Sequence, residues 1–509
     1  MATKNPPPRE PLIFVLGSTG TGKSELAVEL ATRFNGEVIN SDAMQLYKGL
    51  PIITNKITPS ERRGVPHHLL DHIGLDDPPW VVDDFKRAAT QAIQDIRARG
   101  RLPILVGGTH YYTNALLFDE VLVEGEKEEP SSSFPILSEP TDVILAKLRQ
   151  VDPVMAARWH PNDRRKISRS LEIFLKYGRP ASEIYAEQKR RKAAAAAAAV
   201  EGGGAGGGDT PSWQNLMFWV HTDPEVLKTR LDGRVDKMLA AGLLDETRQM
   251  FEHVRRKESA GQPVDFTRGI WQSIGFKELE PYLRASSSSS SSSVPEPADP
   301  ADPADAVTLA ALQSSGLEAV KISTRQYAKY QTRWIRTKVV PLLRDHPAGA
   351  MSRLFVLDTT DPAHWAEQVA DPAASITRRF LADEPLPDPA SLSPAARSVL
   401  EAVVAAAAPE SPAALKQTPC QRTCELCRVT CVTEESWEKH LKSRRHNAIA
   451  RRVKRRALVP VETSGEEAGE GPEMEKTQGE RGTRGRRGEG DRSRTPDMDL
   501  GSIDFTPPG

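Results

Sequence analysis

The chain has 509 residues, with 68 Lys and Arg against 69 Asp and Glu, and therefore a formal net charge of −1. This balance excludes a uniformly basic nucleic-acid binder of the histone type, but it leaves room for a local basic patch. Only four cysteines are present, all between Cys420 and Cys431. Their small number excludes a scaffold built on disulfides and indicates a reducing compartment.

Five short apolar runs predict the strands of a buried sheet. Small or polar residues follow each run, and in most cases a helical pattern comes next. Apolar runs of this length, separated by helices, are typical of a parallel sheet covered on both faces, so we expect an α/β fold. The predicted strands are Leu12–Leu16, Glu37–Asn40, Leu102–Val106, Leu216–His221 and Leu354–Leu357.

Composition changes along the chain predict the domain boundaries. A cation-rich helical pattern at 141–192 predicts an insertion between the third and fourth strands. Ala-, Gly-, Ser- and Pro-rich stretches predict linkers, and a Gly-, Glu- and Arg-rich end predicts a disordered tail. The expected order is a discontinuous sheet domain at 11–140 and 213–382, the helical insertion at 141–192, linkers at 193–212, 285–316 and 383–416, a cysteine-containing module at 417–456 and a tail at 457–509.

No apolar run reaches the roughly 20 residues that a membrane helix needs. The first eleven residues also lack the apolar core of a signal peptide. We therefore expect a soluble, intracellular protein without a membrane partner.

Residues 17–24 read Gly-Ser-Thr-Gly-Thr-Gly-Lys-Ser, which fits the G-x-x-x-x-G-K-[S/T] pattern of a P-loop. The segment follows the first predicted strand and opens a helical pattern, as the motif requires. Its glycines let backbone N–H groups surround a phosphate, Lys23 adds a positive charge, and Ser24 can bind Mg²⁺. The motif predicts a diphosphate or polyphosphate ligand, but kinases and other transferases share it.

Two further segments follow predicted strands at the same edge of the sheet. Ser41–Gln45 contains Asp42, whose carboxylate would lie beside the phosphate loop. Asp42 can bind Mg²⁺ through water or accept a proton from an acceptor group, unless it only caps a helix. In Gly107–Tyr111, two glycines admit the close approach of a ligand and Thr109 offers a hydroxyl.

The cysteines predict a zinc site. Cys424-x₂-Cys427-x₁₂-His440-x₅-His446 has the spacing of two-Cys, two-His zinc ligands. The alternative set adds Cys420 and Cys431 to the two central cysteines and leaves both histidines unused. Zinc would supply most of the folding energy of so short a module.

A basic stretch overlaps the second half of this zinc finger. From Lys439 to Arg456 there are nine Lys or Arg residues and no acidic residue. The five-residue spacing of the histidines is similar to that of fingers that bind double-stranded RNA. The stretch predicts phosphate contacts or a nuclear import signal, and the sequence does not separate the two roles.

Taken in order, the motifs of residues 11–382 and the trailing finger resemble the tRNA dimethylallyltransferase family, also called tRNA isopentenyltransferases, in its eukaryotic form. No single motif is specific, whereas the ordered set is. The segments that carry the resemblance are Gly17–Ser24, Ser41–Gln45, Pro66–Leu69, Gly107–Tyr111, His160–Asp163, Arg165–Arg169, Leu171–Glu172, Arg230–Glu246, Gly275–Glu278 and Thr324–Trp334. The sheet domain is then expected to be a P-loop catalytic domain.

The resemblance implies transfer of a dimethylallyl group from dimethylallyl diphosphate to the exocyclic amine of the adenosine 3′ of the anticodon in tRNA. The P-loop would hold the diphosphate leaving group rather than ATP, with Mg²⁺ helping to stabilise its charge. Asp42 would be the general base, and Thr109 would contact the adenine and the leaving group. The implied diphosphate-binding residues are Gly17, Thr19, Gly20, Thr21, Gly22, Lys23 and Ser24, with Arg230 and Arg234 as a second phosphate clamp or as surface salt bridges.

The resemblance also implies where tRNA binds. The adenine must leave the anticodon-loop stack, and the insertion would contact the phosphates of the anticodon stem-loop. Without the resemblance, 164–169 would be interpreted as a solvated helix face. The implied tRNA-binding residues are Asp42, Ala43, Met44, Gln45, Arg165, Lys166, Ile167, Ser168 and Arg169.

Two other functions fit parts of the sequence. A P-loop kinase of a nucleoside or small metabolite would use the same phosphate loop and would consume ATP. A non-enzymatic RNA-binding protein would need only the finger, but intact Lys23, Ser24, Asp42 and Thr109 argue against it. We expect a monomer in the cytoplasm, and the sequence leaves open whether mitochondrial and nuclear pools exist and which tRNAs are modified.

Overall fold

The computed structural model of the chain describes residues 10–118, 134–188, 190, 214–288, 303–346, 349–406 and 419–457. These residues form two compact units. The larger unit takes its residues from 10–118 and 183–406, and the smaller unit from 134–182 and 419–457. The smaller unit therefore combines the predicted helical insertion with the predicted finger.

The larger unit is built on a six-stranded parallel sheet with the strand order β3-β2-β4-β1-β5-β6. At its centre, Ile13 of the first strand lies opposite both Ile104 and Leu216. All five predicted strands are present, and the two-residue edge strand β3 was not predicted because so short a run carries no apolar pattern. The strands are β1 Pro11–Gly17, β2 Gly36–Asn40, β3 His67–His68, β4 Leu102–Val106, β5 Gln214–His221 and β6 Leu354–Asp358.

Helices cover both faces of this sheet, because alternate strand residues point to opposite faces and both sets are apolar. Phe14 and Trp219 belong to the core on one face, and Ile13 and Phe218 to the core on the other. None of the helices that the structure describes is long and apolar enough to span a membrane. The helices of this unit are α1 Lys23–Arg33, α2 Val82–Ala98, α3 His110–Leu117, α8 Pro224–Ala240, α9 Leu243–Ser259, α10 Phe276–Ser288, α11 Pro303–Trp334, α12 Val340–Arg344, α13 Asp371–Leu381 and α14 Pro394–Ala406.

Two of the predicted linkers are wrong in part, because they contain helices. Residues 303–316, expected to be part of a linker, begin the 32-residue helix α11. Within the linker expected at 383–416, α14 buries Ala396, Leu400 and Val403 against the core. Their four- and three-residue spacing puts them on one helix face, a signal that the Ala- and Pro-rich composition concealed. The linker at 193–212 and the tail from residue 458 lie outside the described residues.

The smaller unit has a helical part and a finger part. The helical part packs Ile144, Leu148, Ile167 and Leu171 into a small core of its own. Its helices are α4 Thr141–Val151, α5 Pro153–Arg158, α6 Arg164–Tyr177 and α7 at 181–188, the last of which continues into the larger unit. The finger consists of a hairpin, β7 Pro419–Thr423 with β8 Thr430–Thr433, followed by α15 Glu434–Lys442 and α16 Arg444–Ala457.

The finger contacts the helical part, although the two were predicted as separate domains. The His160 Nε2 lies 3.1 Å from the Thr430 carbonyl oxygen of β8. His160 Nδ1 accepts a hydrogen bond from the Asn162 backbone at 3.1 Å, so Nε2 carries the proton and donates to Thr430. The side-chain nitrogen of Gln421 also lies 3.5 Å from the Trp159 carbonyl oxygen.

Candidate active site

The phosphate loop leaves β1 at Gly17 and enters α1 at Lys23. Gly17 has a φ of 146°, and a Cβ atom there would lie 2.5 Å from the Val220 carbonyl oxygen, so only glycine fits. Gly20 and Gly22 have φ values of 84° and 88°, in the left-handed region that favours glycine. The loop therefore folds around the N-terminus of α1, where free backbone N–H groups favour an anion.

Lys23 is held at this loop by its side chain. Its Nζ donates a hydrogen bond to the Ser18 carbonyl oxygen at 2.7 Å, and the Thr21 hydroxyl donates to the same oxygen at 2.9 Å. Burial lowers the pKa of Lys23 to about 8, against the opposing effect of the Asp42 carboxylate, while the Arg234 guanidinium lowers it further. The ammonium is thus charged at neutral pH, and a bound anion would stabilise it.

The two candidate clamp arginines on α8 have different partners. Arg234 donates from Nη1 to the Thr19 hydroxyl of the phosphate loop at 2.7 Å. Burial lowers the pKa of Arg234 to about 10, and the Asp42 carboxylate opposes this shift. Arg230 instead donates to the carbonyl oxygen of Thr360, which follows β6, at 2.9 Å. The structure therefore brings Arg234 to the phosphate loop and gives Arg230 a partner elsewhere.

Asp42 and Thr109 lie together where β2 and β4 end. The Ala43 backbone donates to the Thr109 hydroxyl oxygen at 3.0 Å, and the Met44 backbone donates to the Asp42 carboxylate at 3.0 Å. Burial raises the pKa of Asp42, although the Met44 amide and the Lys23 ammonium both act against the shift. A carboxylate in this position is ready to accept a proton from a bound group.

Gln331 of α11 joins the two loops, and the sequence analysis assigned it no role. Its Oε1 accepts from the Thr19 backbone at 2.7 Å, and its Nε2 donates to the Gly108 carbonyl oxygen at 3.0 Å. Tyr327, one helical turn earlier, is hydrogen-bonded to both Thr109 and Gln331. Gln331 is only 1% exposed, so the phosphate loop and the loop after β4 share one buried amide.

His110 is a buried imidazole at the start of α3. Neither ring nitrogen has a hydrogen-bond partner among the described residues. Burial and the Lys23 ammonium together lower its pKa to about 3, so the ring is neutral at physiological pH. His110 lines a cavity together with Thr109, Tyr327, Tyr330 and Trp334. This cavity gives the polar site an aromatic wall beside Thr109.

The zinc ligands predicted in the finger converge in the smaller unit. One ligand atom from each of Cys424, Cys427, His440 and His446 lies within 4.8 Å of the others. The two sulfur atoms lie 3.5 and 3.4 Å from Nδ1 of His446. Two thiolates and two imidazoles are the donors that structural Zn²⁺ prefers. The alternative four-cysteine set is therefore not the one that the structure assembles.

The residues implied to bind tRNA occupy different environments. The side chain of Ile167 is fully buried in the core of the helical part, so any contact of this residue with tRNA would have to come from its backbone. Ala43 is also buried. Lys166 pairs with Asp163 at 2.8 Å and Arg169 with Glu172 at 3.0 Å, and both cations are partly exposed. These two cations of α6 therefore lie at the surface within ion pairs.

Ser168 and Gln45 have more specific surroundings. The Ser168 hydroxyl is buried without a hydrogen-bond partner among the described residues. Gln45 donates from Nε2 to the carbonyl oxygens of Thr54 and Asn55, at 3.3 and 3.2 Å. Met44 lies beside Ser273, whose hydroxyl is 3.5 Å from its sulfur. The segment that follows β2 is thus anchored to the loop that comes after it.

Comparison with known proteins identifies the family of the chain. A sequence model of the family described as IPP transferase matches residues 45–338. The chain belongs to this family. A second model, for a zinc finger of the C2H2 type, matches residues 422–446 and supports the zinc assignment.

Relatives in other organisms extend the match over most of the chain. The tRNA dimethylallyltransferase of Schizosaccharomyces pombe is 38% identical, over 88% of this chain and 96% of its own length. The tRNA dimethylallyltransferase of Homo sapiens is 34% identical, over 86% of this chain and 85% of its own. The alternative of a P-loop kinase is not favoured by these matches.

A solved structure of a eukaryotic dimethylallyltransferase acting on tRNA is similar in fold as well. It has a TM-score of 0.67 and 33% identity, and the match covers 88% of this chain and 98% of that one. The family resemblance and the fold class expected from the motifs are therefore confirmed.

Proposed function

We propose that the chain transfers a dimethylallyl group from dimethylallyl diphosphate to the exocyclic amine of the adenosine 3′ of the anticodon in tRNA. One observation carries the proposal beyond family membership. The phosphate loop with Lys23, and Arg234 reaching it from α8, lie beside a partly buried carboxylate, Asp42, whose pKa responds to both cations. The arrangement combines a positively charged binding site for a leaving diphosphate with an acceptor for a proton.

The leaving-group side uses the phosphate loop. As the allylic C–O bond breaks, its electron pair moves to the diphosphate oxygen, and negative charge grows there. Backbone N–H groups at the start of α1, the Lys23 ammonium and the Arg234 guanidinium would stabilise that charge. Lys23 and Arg234 are already held in place by the Ser18 carbonyl oxygen and the Thr19 hydroxyl, so little reorganisation accompanies bond cleavage.

The acceptor side uses Asp42. The adenine amine forms the new N–C bond with the allyl carbon and must lose one proton. Asp42 would take this proton, and its raised pKa makes it a better base than an exposed carboxylate. The imidazole of His110, neutral because its pKa is lowered to about 3, would add no positive charge to a site in which the allyl group becomes cationic.

A magnesium ion suits this site. Ser24 is exposed on the first turn of α1, and Asp42 lies beside the loop, so a hydroxyl and a carboxylate oxygen are offered near the phosphates. Oxygen donors of this type are the ligands that Mg²⁺ prefers, alongside phosphate oxygens and water. When bound, the ion would neutralise part of the diphosphate charge.

The smaller unit would bind the anticodon stem-loop. Exposed cations lie on α6 of its helical part and on α15 and α16 of its finger. The four zinc ligands hold the finger together. Such surfaces contact phosphates with little dependence on base sequence, and their affinity falls with salt. The finger would therefore contribute affinity for RNA rather than chemistry.

The test is direct incorporation of label. The full chain is incubated with unmodified tRNA and labelled dimethylallyl diphosphate, with and without ATP. We expect label in the RNA at the same rate in both reactions, and loss of labelling when the acceptor adenosine is replaced by guanosine. ATP consumption without label in the RNA would instead support a kinase.

A further inference from the structure

The helix α9 places a buried carboxylate against a loop close to the active site. Glu246, in the first turn of α9, is 7% exposed. Its two oxygens accept hydrogen bonds from consecutive backbone amides, Oε1 from Ile52 at 3.1 Å and Oε2 from Ile53 at 2.5 Å. Hydrogen bonds to a charged acceptor are roughly twice as strong as neutral ones, so this carboxylate fixes the direction of the loop backbone.

A buried cation fixes the same loop at a second place. The Lys56 ammonium donates to the carbonyl oxygens of Tyr47 and Gly49 and, at 2.6 Å, to the Asp71 carboxylate. These three bonds use all three donors of the ammonium. The side chain of Lys56 is 2% exposed, so its charge is tied to the loop and not to solvent. A single residue thus closes the loop 47–56 onto itself and onto Asp71.

The loop needs this support because its backbone is locally unfavourable. Leu50 has a φ of 53°, in the left-handed region, where side chains other than glycine are rarely found, and Asn55, a residue that tolerates this region better, has a φ of 51°. Conformations of this type persist only where surrounding contacts determine them. Here Lys56 and Glu246 bond to the backbone on either side of Leu50, and the Thr54 hydroxyl donates to the Leu50 carbonyl oxygen at 2.7 Å.

The loop in turn holds the segment that follows β2. The Thr54 and Asn55 carbonyl oxygens accept from the Gln45 side chain, and the Asp71 backbone donates to the Gln45 carbonyl oxygen at 3.2 Å. Gln45 is therefore fixed through its side chain and its backbone, three residues from Asp42. Both fixing groups belong to the network of Lys56 and Glu246.

We propose that Glu246 and Lys56 are positioning residues for the acceptor side of the reaction. By fixing the loop 47–56, they hold Gln45 and the adjoining Asp42 in the arrangement that receives the RNA base. Neither residue takes part in the diphosphate contacts described above. The inference rests on the proposed function, because it assigns the segment after β2 to the acceptor.

Kinetics of Glu246→Gln separate positioning from a general structural effect. Glutamine keeps one acceptor but turns an amide N–H₂ towards a backbone N–H, so the loop must move. We expect the KM for tRNA to rise about tenfold, the factor for one charge-assisted hydrogen bond, with the KM for dimethylallyl diphosphate unchanged. Glu252→Gln, an exposed position on the same helix, is the control. If Glu246→Gln only lowered the fraction of folded, active protein and left both KM values unchanged, the proposal would be overturned.

A double-mutant cycle tests the route through Gln45. If Glu246 acts by holding Gln45, then Gln45→Ala raises the KM for tRNA much less in the Glu246→Gln background than in the wild type. Additive effects would mean that the two residues act separately and would contradict the proposal.

Hydrogen exchange tests the loop without relying on catalysis. In the wild-type chain the Ile52 and Ile53 amides are expected to be protected, and Glu246→Gln should accelerate their exchange about tenfold. Unchanged protection would overturn the proposal even in an active protein. If the wild type transferred no prenyl group, the proposed function would fail, whereas the exchange rates would still report whether Glu246 fixes the loop.

Discussion

The active site of the larger unit and the finger of the smaller unit both collect charged side chains, but they hold them differently. Lys23, Asp42 and Arg234 are partly buried, and burial moves the pKa of each one. In the finger, Arg451 and Arg452 are exposed on α16, and the metal ligands converge beside them. One region is a preorganised cluster, and the other is a charged surface supported by a metal.

This difference has an energetic consequence. A buried charge is costly unless its partners are in place, so each member of the active-site cluster depends on the others. An exposed charge interacts mainly with water and ions, and its contribution adds to those of its neighbours. Single substitutions should therefore have large effects in the larger unit and small effects on the finger surface.

The largest effect is expected at Asp42. Asp42→Asn preserves the shape of the side chain but removes the proton acceptor, so turnover should fall about 10³-fold. Affinity for dimethylallyl diphosphate should stay close to that of the wild type, since the donor contacts come from the phosphate loop. Single-turnover labelling of tRNA measures the loss. Asp83→Asn, an exposed substitution in α2, serves as the control, and turnover near the wild-type rate in Asp42→Asn would remove the carboxylate from the mechanism.

A smaller effect is expected from the titration of Lys23. Burial lowers its pKa to about 8, so the ammonium is charged below that pH and loses its proton above it. The kcat/KM for dimethylallyl diphosphate should therefore decline above about pH 8, approaching tenfold for each pH unit, because kcat/KM reports the free protein. The decline in kcat should be weaker, since bound diphosphate stabilises the ammonium.

The pH profile has a matched pair of controls. Lys23→Met should have a low kcat/KM at every pH and no alkaline decline of this origin, whereas Lys48→Met, at an exposed position, should keep the wild-type profile. An alkaline decline that persists unchanged in Lys23→Met would assign the titration to another group.

The phosphate loop and the zinc ligands could be predicted from the sequence because each is defined by residues that are close together in the chain. The P-loop, the strand that precedes it and the spacing of Cys424 to His446 are patterns of neighbouring residues, and the structure contains all three. Asp42 and Thr109 could be placed at one sheet edge because parallel strands end together. The two loops also touch, since a Cβ on Gly107 would lie 2.3 Å from the Ser41 hydroxyl.

The residues that the sequence analysis left without a role act across long separations. Gln331 bonds to a backbone amide 312 residues away, and Glu246 to one 193 residues away. Both lay inside segments that carried the family resemblance, yet a polar residue in a helical pattern is usually solvated, so nothing local marked them as buried. Ile167 is the reverse case, because a basic neighbourhood concealed an apolar residue on the core face of α6.

Removal of the metal site tests whether the finger contributes to RNA binding without contributing to catalysis. Cys427→Ser eliminates one of the four ligands, so the finger should lose bound zinc and its fold in an otherwise intact chain. Affinity for tRNA should fall about tenfold, most clearly at higher salt, while turnover at saturating tRNA stays close to that of the wild type. Zinc content, circular dichroism and RNA binding measure the change.

Cys420→Ser is the matched control, because Cys420 lies outside the four-ligand group. It should keep the zinc and the affinity for tRNA. A collapse of turnover at saturating tRNA in Cys427→Ser would make the finger part of the catalytic machinery and would remove the distinction between the two regions.

The smallest effects are expected from single cations on the finger. Arg451→Gln and Arg452→Gln should each weaken tRNA binding about twofold and lower the slope of log affinity against log salt by up to about one. The combined replacement of the exposed Arg444, Arg445, Arg451 and Arg452 should give close to the sum of the single effects, because solvated charges act independently. If one replacement cost as much as all four, that arginine would be preorganised in the manner of Lys23, and the finger would recognise a defined phosphate rather than present a diffuse charge.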